Sequence, residues 1–486
     1  MLNFQSRFKE LARRVPIDEH NCSVQFEESK CKNCTLCRRV CANTQTVMDY
    51  YYLPSTGDMP ICVHCGQCAS ACPFDAITEV NDVERVKAAI ADPDKIVMFQ
   101  TAPAVRVGLG EAFGLEPGSF VEGKMVGALR ALGADYVFDT NFGADLTIME
   151  EAMELLHRLQ AEEIPIPQFT SCCPAWVEFA EIFYPDLIPH LSSTKSPISI
   201  LSAVEKTWFA ETKNIDPKKI VNVCVTPCTA KKAEIRRPEF NVSANFWDIP
   251  ELRDTDICIT TRELAGWIKE AGLDFEQLQE GAFDRVFGQA SGGGIIFGNT
   301  GGVMEAAIRT AYYFFTGRTA PKDFIPFEDV RGLEGVKKAS VAFGHFVLHV
   351  AAISGLGNAR VFIDDLIKND LFENYSFIEI MACPGGCIGG GGQPKVKAPQ
   401  VKKVNQARMD RLYQYDAEAQ IKSSWENPEI KALYEAFLEE PLSEMAETYL
   451  HTYFDDKSDL LGRMKNVEPE TNPMSNRFKA HTNNLV

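Results

Sequence analysis

Positive charge is scarce in this sequence. Over 486 residues, 49 Lys and Arg stand against 67 Asp and Glu, a formal net charge of −18. That balance excludes general nucleic-acid binding, which needs a net basic surface or stripe. Cysteine, at 16 residues, is too sparse for a disulfide scaffold. The N-terminal stretch MLNFQSRFKELARRVPIDEH holds no apolar run of signal-peptide length, and Arg13 and Arg14 lead into VPIDE rather than a hydrophobic segment, which points to a cytoplasmic protein. Long hydrophobic runs are also missing, with one candidate. The window SVAFGHFVLHVAAISGLGNA at 340–359 is uncharged, but its glycines (Gly344, Gly355, Gly357) and its His345 and His349 predict a strand, a glycine turn and a helix start in a soluble α/β core, not a membrane span. Neither SGGGIIFGNTGG at 291–302 nor the four-glycine run at 389–392 is followed by Gly-Lys-Ser or Gly-Lys-Thr, so a phosphate loop is a weak reading of both.

The cysteines are clustered. Thirteen of the 16 fall in a few short windows, and clustered thiols in an intracellular chain suggest metal. CKNCTLCRRVC (31–41) and CVHCGQCASACP (62–73) repeat the pattern CxxCxxCxxxC, offset by 31 residues. Three thiolates at such spacing wrap one corner of an iron–sulfur cube, and in two-cluster ferredoxins the fourth cysteine of each run ligates the other cluster. The spacing therefore predicts Cys31, Cys34, Cys37 and Cys72 on one 4Fe-4S cluster and Cys62, Cys65, Cys68 and Cys41 on a second. Pro73 follows the second run, whereas Ala42 follows the first. Zinc is the rival, but it usually draws CxxC pairs across a longer spacer, often with His, and two matching four-cysteine runs argue against it. His64, inside CVHC, reads as a loop residue and Cys22 as a lone structural thiol. Two cubes form a wire for single electrons. Lys30, Lys32, Arg38 and Arg39 around the first run either dock an acidic electron carrier or are solvated loop charges.

From about 97 to 395 the texture is α/β, with β-rich runs (KIVMFQTAPAV, KIVNVCVTP, FIEIMACPG) alternating with amphipathic stretches, which favours mainly parallel sheets. Five more cysteines lie in TSCCPAWVEFAE (170–181), VTPCTAKKAEIRRPE (225–239) and EIMACPGGCIGGGGQP (379–394), just after such strands, where open α/β sheets place their ligands. Glycines beside CxxxC let backbone approach bulky inorganic material. The residues alone thus predict a third cluster in a buried pocket. In TIMEEAMELLHR (147–158), Glu151, Glu154 and Arg158 share one helix face and Glu150 does not; alone, this is a solvated acidic stripe. Cys172 precedes Cys173, and adjacent side chains of an extended segment point opposite ways, so the two do not readily bind one cube. Past Pro394 the composition turns basic and polar. A helix then follows, with Asn427 as N-cap, Pro428 at N1, and Ile430, Leu433, Tyr434, Phe437 and Leu438 at core spacing. The chain divides into a two-cluster domain (1–96), an α/β domain (97–395), a helical region (396–455) and a flexible tail (456–486).

The three cysteine strings resemble the three signature motifs of the iron-only (FeFe) hydrogenases, over roughly 97–395 and in the right order. The upstream repeat resembles that family's accessory-cluster domain, and ENPEIKALYEAFLEEPLSEMAETYLHTYF resembles its small-subunit region. The resemblance implies a two-lobed α/β catalytic domain with mainly parallel sheets around a buried cluster, an N-terminal α+β ferredoxin-like domain and a helical C-terminal extension. It implies an H-cluster, a 4Fe-4S cube bridged to a two-iron unit with CO, cyanide and dithiolate ligands. Cys173, Cys228 and Cys383 would ligate the cube, with Cys387 as fourth ligand and bridge. Lys231 would donate to a cyanide, the backbone at Ala102 and Pro103 in TAPAVR (101–106) would face the second cyanide, and Met381 and Phe297 would line the pocket. Cys172 would donate protons, with a thiol pKa suited to exchange near neutrality, and Glu151, Ser192, Glu154 and Arg158 would relay them. The implied activity is interconversion of H2 with protons and electrons. The implied partners are ferredoxin or a similar one-electron carrier and H-cluster maturation proteins, with neither nucleic acid nor a membrane span.

Three positions depart from the family pattern. Thr226 stands where methionine is usual, Ala104 where serine is frequent, and Ile198 where glutamine is frequent. They leave fewer side chains to hydrogen-bond the two-iron unit. Cys224 and Cys258 read as buried small hydrophobes. An H2 sensor and an iron–sulfur assembly scaffold are the competing readings. The presence of Cys172, Lys231 and Cys387 argues against the scaffold, and Cys172 with no appended output domain argues against the sensor. No flavin or nicotinamide fingerprint is present, so direct NAD chemistry would need partner subunits.

Overall fold

The computed structural model describes residues 14–161, 164–321, 324, 331–343 and 346–462. Gly344 and His345 of the uncharged window, and the part of the expected tail beyond residue 462, lie outside them. The two cysteine runs fold beside an antiparallel pair, β1 (Val24–Phe26) and β2 (Ile77–Glu79), over a small core of Val15, Val24, Ala69, Ala76 and Ile77. The sequence repeat is also a backbone repeat. Asn33 and Thr35 take left-handed φ values of 50° and 69°, and His64 and Gly66, 31 residues on, take 60° and 66°. These kinks turn each CxxCxxC loop into its following helix, Leu36–Arg39 or Gln67–Ala71.

Two four-stranded sheets carry the rest. The first, ordered β4-β3-β6-β7, is wholly parallel and consists of β3 (Ile96–Thr101), β4 (Tyr136–Asp139), β6 (Ile220–Thr226) and β7 (Ile257–Thr260). The second is ordered β5-β10-β9-β8, from β5 (Gln168–Phe169), β8 (Val336–Phe343), β9 (Phe346–Ser354) and β10 (Phe377–Met381). Its strands are parallel except β8, which pairs antiparallel with β9 at the edge. The strands expected from KIVMFQTAPAV, KIVNVCVTP and FIEIMACPG are thus β3, β6 and β10. The uncharged window supplies the end of β8, then β9, then Gly355 at φ 87° and the helix Leu356–Asn369. Its apolar residues are accounted for by strands with Val341, Leu348 and Val350 in the core. Among the described residues, no helix is long and apolar enough to cross a membrane.

The first sheet is covered on both faces, as parallel sheets require. Val97, Phe99, Val223 and Val225 face one core; Met98 and Phe138 face another, shared with Ile200, Leu201, Ile430, Leu433, Tyr434 and Leu438. The C-terminal helix therefore forms as its apolar spacing predicts, with the Asn427 side chain capping Glu429 N–H at 3.0 Å. The same Asn427, with Ser424 and the Ser291 N-cap of the SGGG segment, donates to buried Asp145 at 3.0, 2.8 and 2.5 Å. SGGG is thus a junction between the α/β part of the chain and the C-terminal region. The basic, polar stretch after Pro394 forms the helix Val401–Glu418, within the region expected to be helical, and its Arg408 is fully buried and paired to Glu111 at 2.6 and 2.7 Å. One C-terminal expectation needs correction. The tail does not begin at residue 456: Lys457 pairs with Glu178 at 2.6 Å and Glu181 at 2.7 Å, and Leu461 O accepts from Ser55 Oγ at 3.0 Å. Those ion pairs hold residues 456–462 against the molecule.

Candidate metal centre

Four loops leave the carboxyl ends of four strands: TAPAVR after β3, TSCCP after β5, TPCTAKK after β6 and MACPGGC after β10. Because neighbouring strands are parallel, these ends lie on a common edge of each sheet, and the loops converge. They enclose a cavity of about 580 Å³, lined among others by Ala102, Pro103, Cys172, Cys173, Cys228, Lys231, Phe297, Met381 and Cys387. The residues predicted for the third cluster therefore meet in one place. Cys383 is buried behind this lining, within electrostatic reach of Cys228, Cys173 and Cys65. The walls also include Pro174 and Pro227, within the cysteine strings, and Thr140, Ala144 and Pro197, which no motif contains. Thr226, Ala104 and Ile198 line it too, so the wall at these positions is short or apolar.

The first-run site is equally legible. Cys31, Cys34, Cys37 and Cys72 line one recess of about 360 Å³, with Cys34 exposed and Cys72 buried. The cross-over of Cys72 into the other run's site is what the spacing predicts. Cys41, Cys62, Cys65 and Cys68 form the neighbouring group, each thiol raised by burial first, and Cys41 pushed up to about 12. Buried thiols of this kind stay protonated unless a bound cation compensates the thiolate charge. All 16 cysteines are free, and among the described residues no three His, Cys, Asp or Glu side chains converge as a single metal ion requires. The thiols instead surround spaces, and a soft all-sulfur donor set around a recess fits an iron–sulfur cube better than zinc. His64 is a loop residue as expected: burial pushes its pKa down to about 4, and its carbonyl accepts from Thr229 Oγ1 at 2.6 Å.

The four-glycine run serves a different contact from the one its composition suggests. A Cβ at Gly391 would stand 2.3 Å from the Cys65 carbonyl oxygen, and one at Gly390 would stand 2.4 Å from that of Pro227. Gln67 Nε2 donates to Gly389 O at 2.9 Å and Ser70 Oγ to Gly391 O at 3.1 Å. The run thus seats the second cysteine loop directly on the cavity's back wall, protein backbone against protein backbone.

On the cavity's other side the long helix Thr140–Gln160 carries Glu151, Glu154 and Arg158 inward. All three are buried, so the stripe is not solvated. Ser192 Oγ donates to Glu154 Oε2 at 2.6 Å, and Arg158 donates to Glu154 Oε1 at 2.8 Å and to the carbonyls of Pro165, Pro189 and Leu191. Neither Glu151 oxygen has a well-formed hydrogen bond. Burial, then Glu154 and Glu379, push the Glu151 pKa up to about 8, against weaker opposition from Ser171 N–H and Ser192. Cys172 is buried, and its pKa is raised well above the ordinary thiol value by burial, then by Glu151 and Cys173. It is held as a thiol, higher than the near-neutral value expected from the sequence. Lys231 pairs with Glu234 at 2.8 Å and donates to Cys172 O at 3.2 Å. Burial disfavours its charge, but Glu234 and Cys228 outweigh it, leaving the pKa above the usual lysine value. Glu150 points the opposite way, as its position on the helix predicts, and accepts from Tyr434, Leu442 N and His451. Cys224 and Cys258 are fully buried behind Ile198, as expected of small hydrophobes.

The Glu151 shift has a stability consequence. A carboxyl whose folded pKa is raised from 4.5 to about 8 contributes stability that is full at acid pH and lost as pH rises through 8. The loss amounts to something on the order of a few kcal/mol. Glu151→Gln is expected to remove it, so that the melting temperature falls less between about pH 5 and pH 9 than in the parent chain. Parallel pH curves for the two proteins would assign the loss to another group.

Comparison with known proteins agrees with this geometry. The model of the family described as iron only hydrogenase large subunit, C-terminal domain, matches residues 95–391, that of the iron hydrogenase small subunit matches 402–457, and that of the 4Fe-4S binding domain matches 58–78. The chain is 44% identical over 451 residues to the NADP-reducing hydrogenase subunit HndD of Solidesulfovibrio fructosivorans, covering 89% of this chain and 74% of that one. It is 40% identical over 449 residues to iron hydrogenase 1 of Clostridium pasteurianum, covering 90% and 76%. A solved structure of a variant of the FeFe hydrogenase HydA1 from Chlamydomonas reinhardtii superposes with a TM-score of 0.68 at 42% identity, covering 78% of this chain and 99% of that one. A cavity where three cysteine-bearing loops meet, on a chain matched along most of its length by these proteins, establishes that this protein belongs to the iron-only hydrogenases, oxidoreductases that interconvert H2 with protons and electrons at an H-cluster served by 4Fe-4S clusters.

Proposed function

We propose that this hydrogenase exchanges electrons with an acidic, ferredoxin-type carrier at the Cys34 face and exchanges protons through Cys172, Glu151, Ser192 and Glu154. The observation that carries the reading is the single cavity shared by Cys172, Cys173, Cys228, Cys387 and Lys231, backed by Cys383 within reach of Cys65. Residues 1–96 would hold two cubes, on Cys31, Cys34, Cys37 and Cys72 and on Cys41, Cys62, Cys65 and Cys68. Residues 97–395 would hold the H-cluster, and 396–455 would brace it. When bound, the H-cluster supplies the redox chemistry that makes and breaks the H–H bond.

The chain's own residues do the rest. Cys173, Cys228 and Cys383 would hold the cube and Cys387 would be its fourth ligand, thiolate ligation that suits soft low-valent iron. Lys231, its ammonium retained by Glu234, would offer one cyanide a charge-assisted hydrogen bond. The backbone at Ala102 and Pro103 would be available to the other. Phe297 and Met381 exclude water. Cys172 holds a proton on its sulfur at the cavity wall, Glu151 exchanges with it, and Ser192 hands over to Glu154. Arg158, bound to three carbonyls, fixes Glu154 rather than carrying protons. The two-iron unit would be installed by maturation proteins, and the free thiols suit the cytoplasm. Infrared spectroscopy on matured protein with an H2 evolution assay tests the reading. Metal carbonyl and cyanide bands with turnover are expected; bands without turnover favour an H2 sensor, and absent bands a scaffold.

The carrier surface is narrower than the sequence suggests. Lys30 pairs with Glu27 at 2.6 Å and Arg38 with Asp49 at 2.7 Å, whereas Lys32 and Arg39 are exposed beside Cys34. Reversing both exposed charges, Lys32→Glu with Arg39→Glu, is expected to raise KM for ferredoxin about 10-fold at low salt, the difference shrinking at 0.5 M salt, with kcat kept. A salt-independent KM, unchanged in the variant, would move the docking site elsewhere.

A further inference from the structure

The C-terminal region reaches the proton route from behind. Residues 449–452 lie alongside residues 192–195 as a short antiparallel contact: Lys195 N–H donates to Leu450 O at 2.8 Å, Thr452 N–H to Ser193 O at 2.7 Å, and Thr194 faces His451 across the bridge. His451 is buried in this contact, its side chain 8% exposed. One ring nitrogen, Nε2, lies 3.0 Å from Glu150 Oε2, and the other, Nδ1, lies 2.8 Å from Ser193 Oγ. Glu150 already accepts from the Tyr434 hydroxyl and Leu442 N–H, so it is an acceptor toward His451 as well. Nε2 therefore donates, and in the neutral imidazole Nδ1 is left to accept the Ser193 hydroxyl proton. The peptide held in this way is the one aimed at the relay. Ser193 N–H points at Glu154 Oε1 at 3.4 Å, and Ser192 Oγ, itself accepting from Thr194 N–H at 3.2 Å, donates to Glu154 Oε2 at 2.6 Å.

We propose that His451 is a positioning residue for proton transfer: by gripping Ser193 from the small-subunit-like region and anchoring on Glu150, it holds the Ser192 hydroxyl in line with Glu154. The inference rests on the relay proposed above and adds to it a residue more than 290 positions from Glu154 in sequence. It also assigns the two faces of the helix Thr140–Gln160 complementary tasks. Glu151 and Glu154 face the proton route, and Glu150, on the other face, fixes the clamp.

The test uses matured full-length enzyme in three forms: His451→Ala, Ser193→Ala and the double variant. Ser193→Ala removes the grip while leaving the His451–Glu150 bond and the backbone pairing, so it reads the contact even where His451→Ala fails to fold. Each single variant is expected to lower kcat for H2 evolution about 2- to 10-fold, the span of one hydrogen bond's worth of geometry. A larger solvent isotope effect, an unchanged KM for the electron carrier and unchanged infrared bands should accompany the loss. The double variant should be no slower than the slower single one, because both remove the same contact. A loss of thermal stability alone, with parental kcat and isotope effect in Ser193→Ala, overturns the proposal. Glu154→Gln separates the two layers: if it collapses turnover while Ser193→Ala is silent, only the clamp fails, and if Glu154→Gln is itself silent, the relay fails and the clamp with it.

Discussion

Replacing Cys172 with alanine is expected to cut H2 turnover by about 100- to 10,000-fold, the range a positioned proton donor contributes. The infrared bands of bound CO and cyanide should remain. The argument is local. Cys172 lines the cavity with Cys173, Cys228 and Cys387, is buried, and sits where burial and the carboxyl of Glu151 favour the protonated thiol. Alanine keeps the backbone that accepts the Lys231 hydrogen bond through Cys172 O. The substitution therefore subtracts one exchangeable proton and little else. Parental turnover in this variant would show that protons enter by another route, and lost bands would show that Cys172 supports the metal site instead.

Cys387→Ala is expected to abolish both turnover and the carbonyl and cyanide bands, leaving the spectroscopic signals of the two N-terminal cubes reducible by a low-potential reductant. Cys387 is held tightly enough for this to be specific. Gly386 before it has φ 94°, and a Cβ there would lie 2.6 Å from Thr300 N. Ile388 after it donates through N–H to Gly298 O at 3.0 Å. This conformation aims residue 387 into the cavity, whereas neighbouring Cys383 lies behind the lining, within reach of Cys228, Cys65 and Cys173. The other nearby thiols, Cys173, Cys228 and Cys383, are already assigned to the cube. Survival of the bands in Cys387→Ala would move the bridge to another ligand and undo the site assignment. Loss of the N-terminal cube signals as well would mean that the variant had failed to fold.

Much of the site was legible because its chemistry is written in short spacings. The CxxCxxCxxxC repeat sets local kinks at Asn33, Thr35, His64 and Gly66, and two- and three-residue intervals are enough to do so. The strands β3, β6 and β10 were visible as β-rich runs ending in TAPAVR, TPC and MACPGG. The Glu151, Glu154 and Arg158 face followed from helical periodicity. What the stripe faces did not: an acidic helix face is solvated in most proteins, and only the packed fold shows these three groups buried on Ser192 and the carbonyls around it. The glycine run was read as room for inorganic material, whereas its use depends on a partner loop over 300 residues away, at Cys65 and Gly66.

By itself the sequence determined which thiols belong together within each loop, the strand and helix runs, and, through motif resemblance, the family and its cofactors, because these rest on local geometry and on residue type. Tertiary structure decided everything that joins distant segments. It seated the second cysteine loop on the cavity wall, tied Lys457 to Glu178 and Glu181, buried Arg408 on Glu111, and brought His451 to Ser193. Such contacts follow from parallel strand ends and packed faces, whose side-chain partners are chosen only when the chain closes on itself.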